Sequence, residues 1–231
     1  MSNILKRAIG GLLDQVLHPA KVLTMTLYPP SKMWEIVLHL PAVNMEKWNT
    51  IKRLKCKVGE LEYRDYTPAL WNWEKKVCTI FVEAGHEGAG SRWVRQLKVG
   101  DTVLFGDAHA AQLPAREGRI LCMGDGSALG HFLALKQLTR HGNYPMDTVI
   151  LLPDACQLPA LLTENTSEDT LILNPGSDRF STLSKWCNTK DLNHYTSIYI
   201  AGNIPMVTAL RKKLKVQSGL QAKIYAHGFW S

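Results

Sequence analysis

Two glycine-rich segments of the chain have the composition of anion-binding turns. "GHEGAGSRWV" spans residues 85–94, and "GDGSALG" lies at residues 124–130. In both, glycines lead into a stretch with the character of a helix start. Glycine lets the backbone approach a ligand closely, and the free N–H groups of a helix N-terminus bind phosphate. Both segments are therefore candidate phosphate sites.

Each segment also has an explanation that needs no ligand. A tight strand-to-helix turn capped by Asp125 or Ser127 explains residues 124–130 equally well, and their glycine spacing is not the standard dinucleotide-binding fingerprint. For residues 85–94 a hairpin explains one glycine, and less easily three glycines followed by a helix start. A ligand is therefore the favoured interpretation of that segment.

A third candidate is "YRDYTP" at residues 63–68, which combines a cation, an aromatic ring with a polar tip and a small hydroxyl just before a turn. On a strand, Arg64 and Tyr66 point to one face and Thr67 to the other. An ordinary barrel strand with a solvated arginine explains the six residues taken alone, because such mixtures are common in strands. A binding role for them depends on the rest of the chain.

The composition is that of a globular protein with ample core. The 231 residues are 45% hydrophobic and 20% charged, which fits one large domain or two small ones and excludes a disordered chain. No apolar run reaches the roughly 18 residues that span a bilayer. The N-terminus does not have the form of a secretory signal. We expect no stable membrane insertion.

The five cysteines are scattered, odd in number and never spaced as Cys-x-x-Cys. This distribution argues against a disulfide framework and against a zinc or iron–sulfur site, so we expect no metal site. Reduced thiols are typical of a cytoplasmic protein, which is the location that we predict.

The net charge of +7 favours anionic partners, either nucleic acid or a phosphate-bearing cofactor. Two basic clusters stand out, "IKRLKCK" at 51–57 and "LRKKLK" at 210–215. Both are interleaved with apolar residues, which favours solvated faces of ordinary elements. No zinc finger, RNP-type aromatic strand or arginine-glycine tract accompanies them, so nucleic acid is not an expected partner.

The elements that must position these residues fall into two halves. Residues 2–18 have the apolar spacing of a helix, which we assign to 1–19 and expect to pack on the following domain; a membrane-surface helix is the alternative. From 20 to 109, five or six short strands rich in β-branched and aromatic residues predict a small antiparallel β-barrel. Residues 110–118 are rich in Ala, Pro and Gly and are interpreted as a linker.

From residue 119 to 231 strand and helix patterns alternate. This alternation predicts an α/β domain, a parallel sheet with helices on both faces. Such sheets bind ligands outside the carboxyl ends of their strands, where the strand order reverses. The turn at 124–130 directly follows the first strand of this half. The predicted architecture is therefore a β-barrel followed by a nucleotide-binding-type α/β domain.

In this order the motifs resemble those of the ferredoxin-reductase-like flavoenzymes and, among them, the siderophore-interacting protein family, which are FAD-binding reductases of ferric siderophores. The similarity extends over nearly the whole chain after the N-terminal helix. Six segments match family motifs in sequence: "RDYTP", "GAGSRWV", "LCMGDGSALG", "LLPDA", "YIAGNIPMVTALRKKL" and "IYAHGFW".

The resemblance implies an FAD site in the barrel domain. Arg64 would form charge-assisted hydrogen bonds to phosphate, and Tyr66 would stack on or flank the isoalloxazine. Thr67 would hydrogen-bond near the flavin N5 and tune it, and Val82 is counted among the cofactor contacts. The donors to the pyrophosphate would be Gly88, Gly90 and Ser91.

The resemblance also implies a nicotinamide-nucleotide site in the α/β domain. Trp230 would cover the flavin ring where the nicotinamide arrives, and we assign it, with Thr67, to catalysis; a terminal-strand core residue is the alternative for Trp230. The residues expected to line the nucleotide site are Gly124, Asp125, Ser127, Ala128 and Gly202.

The implied activity is an NAD(P)H-dependent, FAD-containing reductase that passes electrons to a ferric siderophore and releases Fe(II). Two alternatives stay open. One keeps the flavin and replaces the acceptor with a ferredoxin or a quinone. The other is a non-catalytic protein that holds a siderophore on the same fold.

The chain departs from the family pattern at several positions. Ala69 stands where the family often has Arg, Gly126 where it has Glu, and Asn203 where Glu usually follows Ala-Gly. The flavin site is kept at its centre, and the nicotinamide site is less complete. No cation directly follows "LLPD", and Arg179 and Lys185 are the nearest candidates to discriminate NADPH from NADH.

Overall fold

The structure, a computed structural model, describes residues 17–153, 170–176 and 178–231, without the side chains of 107–110. This part of the chain divides into two compact units. Unit 1 comprises 17–27 and Lys32–Ala111, and unit 2 comprises Tyr28–Ser31 and Gln112–Ser231.

Seven strands and one α-helix make up the first half of the described chain: β1 (His18–Tyr28), β2 (Met33–His39), β3 (Ile51–Lys57), β4 (Tyr63–Tyr66), β5 (Ala69–Asn72), β6 (Val77–Glu83), α1 (Ala89–Gln96) and β7 (Thr102–Ala111). The strands form one sheet in the order β4-β3-β7-β1-β2-β6-β5. β3 pairs antiparallel with β4 and β7, as β6 does with β2 and β5. This antiparallel half-barrel confirms the predicted class of the first half.

The alternation along β3 explains its basic composition. Leu54 and Cys56 are buried in the core of unit 1, whereas Lys55 and Lys57 between and after them are partly exposed. Successive side chains of a strand point to opposite faces, so one face packs and the other is solvated. The basic cluster at 51–57 is therefore a strand with a solvated face.

Three details of the predicted first half are wrong, one of them the linker assigned to 110–118, whose first two residues belong to β7. The N-terminal helix assigned to 1–19 lies largely outside the described residues, but its last two residues, His18 and Pro19, belong to β1. Proline disfavours helical geometry at the preceding residue, which is consistent with this change. The strand β5 was not expected, since it is only four residues long and contains Leu70 at a positive φ of 51°.

Unit 2 contains five parallel strands with helices between them: β8 (Ile120–Asp125), α2 (Leu129–Thr139), β9 (Met146–Leu151), β10 (Thr170–Leu173), α3 (Arg179–Asn188), β11 (Ser197–Asn203), α4 (Ile204–Lys215) and β12 (Lys223–Trp230). The sheet order is β10-β9-β8-β11-β12, and every pair is parallel. The α/β fold class is confirmed. Residues 154–169, which include the end of the segment "LLPDA", lie outside the described residues.

Helices pack on both faces of this sheet. Leu121 and Met123 of β8 share a core with Leu183 of α3 and Leu210 of α4. Gly124 points to the opposite face, toward α2. Central parallel strands that are covered on both sides are apolar throughout, as the fully buried β8 and β9 are.

The strand order of unit 2 reverses between β8 and β11. The chain runs from β8 outward to β10, then returns to β11, which pairs with the other side of β8. Ligands of open parallel sheets bind outside the carboxyl ends of the strands at such a reversal. The glycine-rich turn after β8 lies at this point.

Candidate functional site

The first candidate site is in unit 1, where β4 meets the N-terminus of α1. We call it the β4–α1 cluster: Arg64, Tyr66, Gly88, Gly90 and Ser91. A methyl group on Gly90 would overlap the Tyr66 hydroxyl and lie 3.7 Å from Cγ of Arg64. The structure thus brings together "YRDYTP" and the glycine-rich segment, and only a residue without Cβ fits this contact.

Tyr66 packs on a second aromatic ring and against the core of unit 1. Its ring stacks on that of Trp93, with the centroids 5.8 Å apart and the planes inclined by 22°. Burial raises the pKa of its hydroxyl, the Cys56 thiol raises that pKa further, and Arg64 opposes the shift. The hydroxyl therefore stays protonated and serves as a neutral hydrogen-bonding group.

The N-terminus of α1 offers backbone donors. Gly88 caps the helix in an extended conformation, without a side-chain hydrogen bond. Its carbonyl accepts from the N–H of Arg92 at 2.9 Å, so the first three N–H groups of the helix have no partner within it. Arg64 next to this terminus is exposed, and its guanidinium donates to the Tyr63 carbonyl at 2.7 Å.

Three residues that the sequence predicts as cofactor contacts are buried or half-buried. Ser91 is buried, and its hydroxyl donates to the Glu83 carbonyl at 3.3 Å. Val82 belongs to the core of unit 1. Thr67 is half-buried directly after β4. Their roles as cofactor contacts stay predictions.

Arg95 is a residue of this region that the sequence did not single out. Its guanidinium donates to the carbonyls of Ala84 at 2.8 Å and His86 at 3.4 Å, and forms an ion pair with Glu87 at 3.6 Å. It therefore holds the glycine-rich loop against α1. An arginine four residues after the serine is too common a feature to reveal this role.

The second candidate site is in unit 2, at the carboxyl ends of β8, β11 and β12. We call it the β8–β11 cluster: Asp125, Ser127, Gly202, Asn203 and Trp230. Asp125 is 1% exposed. Its carboxylate accepts from Ser127 N–H at 3.1 Å, the Ser127 hydroxyl at 2.5 Å and Asn203 N–H at 2.8 Å. Asp125 thus caps the turn and ties β8 to β11.

Gly202 makes room for this carboxylate. Its φ is +124°, a conformation that L side chains rarely adopt, and a methyl group on it would lie 2.5 Å from one Asp125 oxygen. Asn203 follows, and its side-chain oxygen accepts from Met206 N–H at 3.2 Å to cap α4. Asparagine is among the best capping residues, so its residue type suits this position.

Trp230 joins the cluster through its indole N–H, which donates to the Ser127 hydroxyl at 3.2 Å. The Arg179 guanidinium carbon lies 5.1 Å from the centroid of the Trp230 ring, a cation–π contact. Trp230 is therefore tied to the turn after β8. No local pattern in the sequence reveals the partnership with Arg179, because the two residues lie on separate elements.

Gly124 and Ala128 serve close packing in this cluster. A methyl group on Gly124 would overlap the Ala201 carbonyl and lie 2.8 Å from Cβ of Ala128, which is itself fully buried. The glycine spacing of the turn thus reflects contact between β8, β11 and the turn. Contact of either residue with a nucleotide stays a prediction.

The described cysteines are buried thiols. Cys56, Cys78, Cys122 and Cys187 are buried and are not disulfide-bonded, while Cys156 lies outside the described residues. Burial raises the pKa of the Cys56 thiol to about 12.

Within the described ranges, no group of three or more His, Cys, Asp or Glu residues is arranged to hold a metal ion. No helix there is long and apolar enough to cross a membrane.

Solved structures with the same fold include siderophore-interacting proteins and ferredoxin reductases. The siderophore-interacting protein from Acinetobacter baumannii superposes with a TM-score of 0.73 at 18% identity, covering 93% of this chain and 90% of that one. SipS from Aeromonas hydrophila gives 0.72 at 15% identity, with 93% and 92% covered. Ferredoxin-NADP+ reductase from Plasmodium falciparum gives 0.67 at 12% identity, with 90% and 95% covered.

No family model and no curated protein matches the chain. At these identities the structural similarity establishes the fold, which is the two-domain architecture of ferredoxin-reductase-like proteins. It agrees with the resemblance drawn from the sequence motifs.

Proposed function

We propose that the chain is an FAD-dependent oxidoreductase that takes electrons from NAD(P)H and delivers them to a ferric siderophore. The observation that carries this proposal is the contact between Gly90 and Tyr66. It sets the base of the exposed Arg64 side chain beside a helix N-terminus whose first N–H groups have no partner in the helix. A cation and convergent backbone donors form a site for a pyrophosphate.

The residues of the β4–α1 cluster fit FAD. Arg64 and the N–H groups at the start of α1 would hold the pyrophosphate, and Tyr66, fixed on Trp93, would contact the flavin ring. Thr67 would hydrogen-bond the polar edge of that ring. When bound, FAD supplies the conversion between a two-electron donor and a one-electron acceptor. The protein residues bind and orient it.

The β8–β11 cluster is our proposed contact with the nicotinamide nucleotide. Ser127 and Trp230 would touch the nucleotide. Asp125 and Gly202 act as positioning residues, since they fix the turn that carries Ser127. Arg179, next to Trp230, adds a positive charge that favours an anionic ligand.

A ferric siderophore is the substrate class that we propose. The resemblance of the sequence motifs and the shared fold of two siderophore-interacting proteins support it. The net charge of +7 suits an anionic donor and anionic iron chelates. The oxygen ligands of such chelates hold Fe(II) less well than Fe(III), so reduction releases the metal. The scattered cysteines support a cytoplasmic location.

A ferredoxin as the redox partner is the second candidate. Ferredoxin-NADP+ reductase has the same fold over most of this chain, so the fold accommodates a protein acceptor as well as a chelate. The two candidates share the flavin and the nucleotide and differ only in the acceptor.

The experiment is an absorption titration followed by an acceptor assay. The purified protein is titrated with FAD, and the flavin band is followed anaerobically after adding NADPH or NADH. Iron release from a ferric hydroxamate or catecholate chelate is then measured with an Fe(II) trap, next to reduction of a ferredoxin. We expect FAD uptake, bleaching by one nucleotide and Fe(II) formation.

Each step has its own contrary outcome. No FAD uptake overturns the flavin assignment. Uptake with bleaching but with ferredoxin as the only acceptor replaces the siderophore with the second candidate. Binding of the iron chelate without turnover by either nucleotide establishes a non-catalytic binding protein.

A further inference from the structure

A groove between α4 and β12 of unit 2 has the size of a small-molecule site. Its volume is about 360 Å³, which is within the range of such sites. One wall is a stripe of α4, in which residues three or four positions apart line the groove from Ile204 to Lys215. The other wall is formed by Ala226 and Gly228 of β12. These two residues are small, so they leave room for a ligand.

The end of the groove at the start of α4 is apolar and narrow. Ile204 and Val207 line it, and Val207 is buried. The Ile204 side chain lies over Gly228, because a Cβ atom on that glycine would be 2.6 Å from Cγ1 of Ile204. A slot of this kind suits a flat ring better than a bulky group.

The other end of the groove is cationic. Arg211, Lys212 and Lys215 line it, and all three are exposed. In the part of the chain that the structure describes, none of them forms an ion pair with a carboxylate, and none of the described lining residues is acidic. Cations that do pair with carboxylates are Lys55, Arg92, Arg95 and Arg119. The charges of the groove are therefore available to an anionic ligand.

Lys213, the fourth cation of this segment, has a different role. Its ammonium group donates to the Ser184 carbonyl at 3.1 Å and hydroxyl at 2.8 Å, and to the Asn188 side chain. It holds α4 against α3. Cations in the last turn of a helix also interact favourably with its dipole, but that interaction requires no groove beside them. The segment "LRKKLK" thus separates into one structural cation and three that line the groove.

The cationic end of the groove is remote from the β8–β11 cluster. The helix α4 begins directly after Asn203, at the carboxyl end of β11. Since a helix rises about 1.5 Å per residue, Lys215 lies roughly 16 Å along the axis from Ile204. The nucleotide contact that we propose at the β8–β11 cluster therefore does not account for these cations.

We propose that this groove binds a nucleoside diphosphate. The base would lie in the apolar end, against Ile204, and the diphosphate would pair with Arg211, Lys212 and Lys215. Arginine binds phosphate oxygens in a bidentate manner, and lysine contacts them as a point charge. Thr208 lies between the two ends of the stripe, and its hydroxyl would hydrogen-bond the ribose.

Other small anions complement only part of the groove. A fatty acid brings one carboxylate to three cations. Inorganic diphosphate leaves the apolar end without a contact. A prenyl diphosphate fills both ends but offers no hydroxyl group to Thr208. A nucleoside diphosphate therefore matches the groove along its whole length.

The first experiment is a calorimetric titration of the full-length protein with ADP. Adenosine, inorganic diphosphate and dimethylallyl diphosphate are titrated in the same way. We expect ADP to bind, and each of the other three compounds to bind about tenfold more weakly, because each lacks part of the proposed contacts.

Two groove variants test the position of the ligand. Arg211→Gln/Lys212→Gln/Lys215→Gln removes the cations, and Ala226→Phe fills the groove without changing the charge. The control is Arg116→Gln/Arg140→Gln/Lys190→Gln, which lowers the net charge equally at exposed residues of unit 2 outside the groove. Urea denaturation shows that each variant is folded.

We expect each groove variant to lose about tenfold or more in affinity for ADP, and the control variant to lose about twofold or less. Equal losses in the two triple variants overturn the site, because binding would then follow net charge. Full ADP affinity in Ala226→Phe also overturns it, because the ligand would then contact the cations without entering the groove.

The other compounds and NADP⁺ supply further contrary outcomes. Absence of ADP binding overturns the proposal. Binding of inorganic diphosphate as tight as that of ADP would mean that the apolar end has no role, and tighter binding of dimethylallyl diphosphate would assign the groove to a prenyl group. ADP binding that NADP⁺ abolishes and both groove variants retain would place ADP at the β8–β11 cluster. Each of these results overturns the assignment of a nucleoside diphosphate to the groove.

Discussion

The β4–α1 cluster and the β8–β11 cluster begin from the same signature, glycines between a strand and a helix start, and reach opposite arrangements. In unit 1 the cap residue of α1 has no side chain, and an exposed arginine stands beside it. In unit 2 the Asp125 carboxylate already accepts hydrogen bonds from the N–H groups of Ser127 and Asn203. A glycine-rich turn thus predicts an anion at the helix start, but not whether the chain itself supplies it.

The comparison predicts that substitutions in the two turns change different quantities, ligand affinity in one and folding stability in the other. The open turn of unit 1 should respond to substitution mainly through ligand affinity, because the first N–H groups of α1 have no acceptor within the helix. The closed turn of unit 2 should respond mainly through folding, because its donors are already used. The following variants test that difference.

The largest effect is expected for Gly202→Ala in the closed turn. The new methyl group meets the Asp125 carboxylate and the residue is held at a φ of +124°, so we expect a loss of about 3 kcal/mol in the free energy of unfolding. Urea denaturation measures it. The control is Gly219→Ala, which also has a positive φ but no atom within 4 Å of the new methyl group, with an expected loss of about 1 kcal/mol. Equal losses would mean that the carboxylate contact is unimportant.

The next effect is expected for Gly90→Ala in the open turn. The methyl group would overlap the Tyr66 hydroxyl, whose ring cannot easily move because it stacks on Trp93. We expect a loss of about 2 kcal/mol in stability, with weaker FAD binding. Tyr66→Phe removes the hydroxyl, so the double variant should recover at least half of this loss. A double-mutant cycle with no coupling would show that the two residues do not interact as described.

A smaller effect, confined to affinity, is expected for Arg64→Ala. The loss of one charge-assisted phosphate contact should weaken FAD binding about tenfold to thirtyfold. Stability should change by less than about 0.5 kcal/mol, because the side chain is exposed. FAD titration and urea denaturation of the same sample measure both quantities. Lys21→Ala, an exposed cation of β1, is the matched control. If Arg64→Ala changed the free energy of unfolding but not the affinity for FAD, the turn of unit 1 would serve stability and not ligand binding, which contradicts the comparison.

The smallest effect concerns the alkaline limit of each unit. Burial, and then the charge of Asp65, raises the pKa of the Cys56 thiol from its ordinary value of 9.0 to about 12. Burial, opposed by Lys213, raises that of Cys187 in unit 2 to about 11. A raised pKa means that the folded state holds the proton more tightly, so this contribution to stability is complete below pH 9. It is lost between about pH 9 and 12 for Cys56, and between about pH 9 and 11 for Cys187.

The variant Cys56→Val tests whether titration of this thiol contributes to the alkaline loss of stability. The variant should lose stability less steeply than the unsubstituted protein as the pH rises from 9 to 12, since it has no thiol to titrate there. Denaturation by urea at a series of alkaline pH values measures the slope. An unchanged slope would assign the alkaline loss to other groups.

The sequence predicts the parallel half of the fold well because its central strands are apolar runs between turn residues. β8 and β9 are buried along their whole length, so periodicity and burial agree. The four-residue β5 escaped prediction because it has no room for an alternating pattern and one of its residues has a positive φ. Local patterns identify an element only when it is long enough to show its period.

The candidate sites were predictable as residue types but not as contacts. The glycines and the arginine stand out in the sequence. The contact of Gly90 with Tyr66 and the hydrogen bond from Asn203 to Asp125 join segments that are distant in the chain. Ser91 shows the same limit: its hydroxyl, expected at a ligand, turns inward to the Glu83 carbonyl.

The pairing of Gly202 with Asp125 also constrains how this sequence can change over evolutionary time. A side chain at position 202 is accommodated only if Asp125 is replaced by a residue without this carboxylate. That replacement leaves two backbone N–H groups, those of Ser127 and Asn203, in need of another acceptor. Neither first step is neutral, so the two positions form an epistatic pair. A lineage that escapes from it passes through a less stable intermediate, or acquires a bound anion that takes the place of the carboxylate.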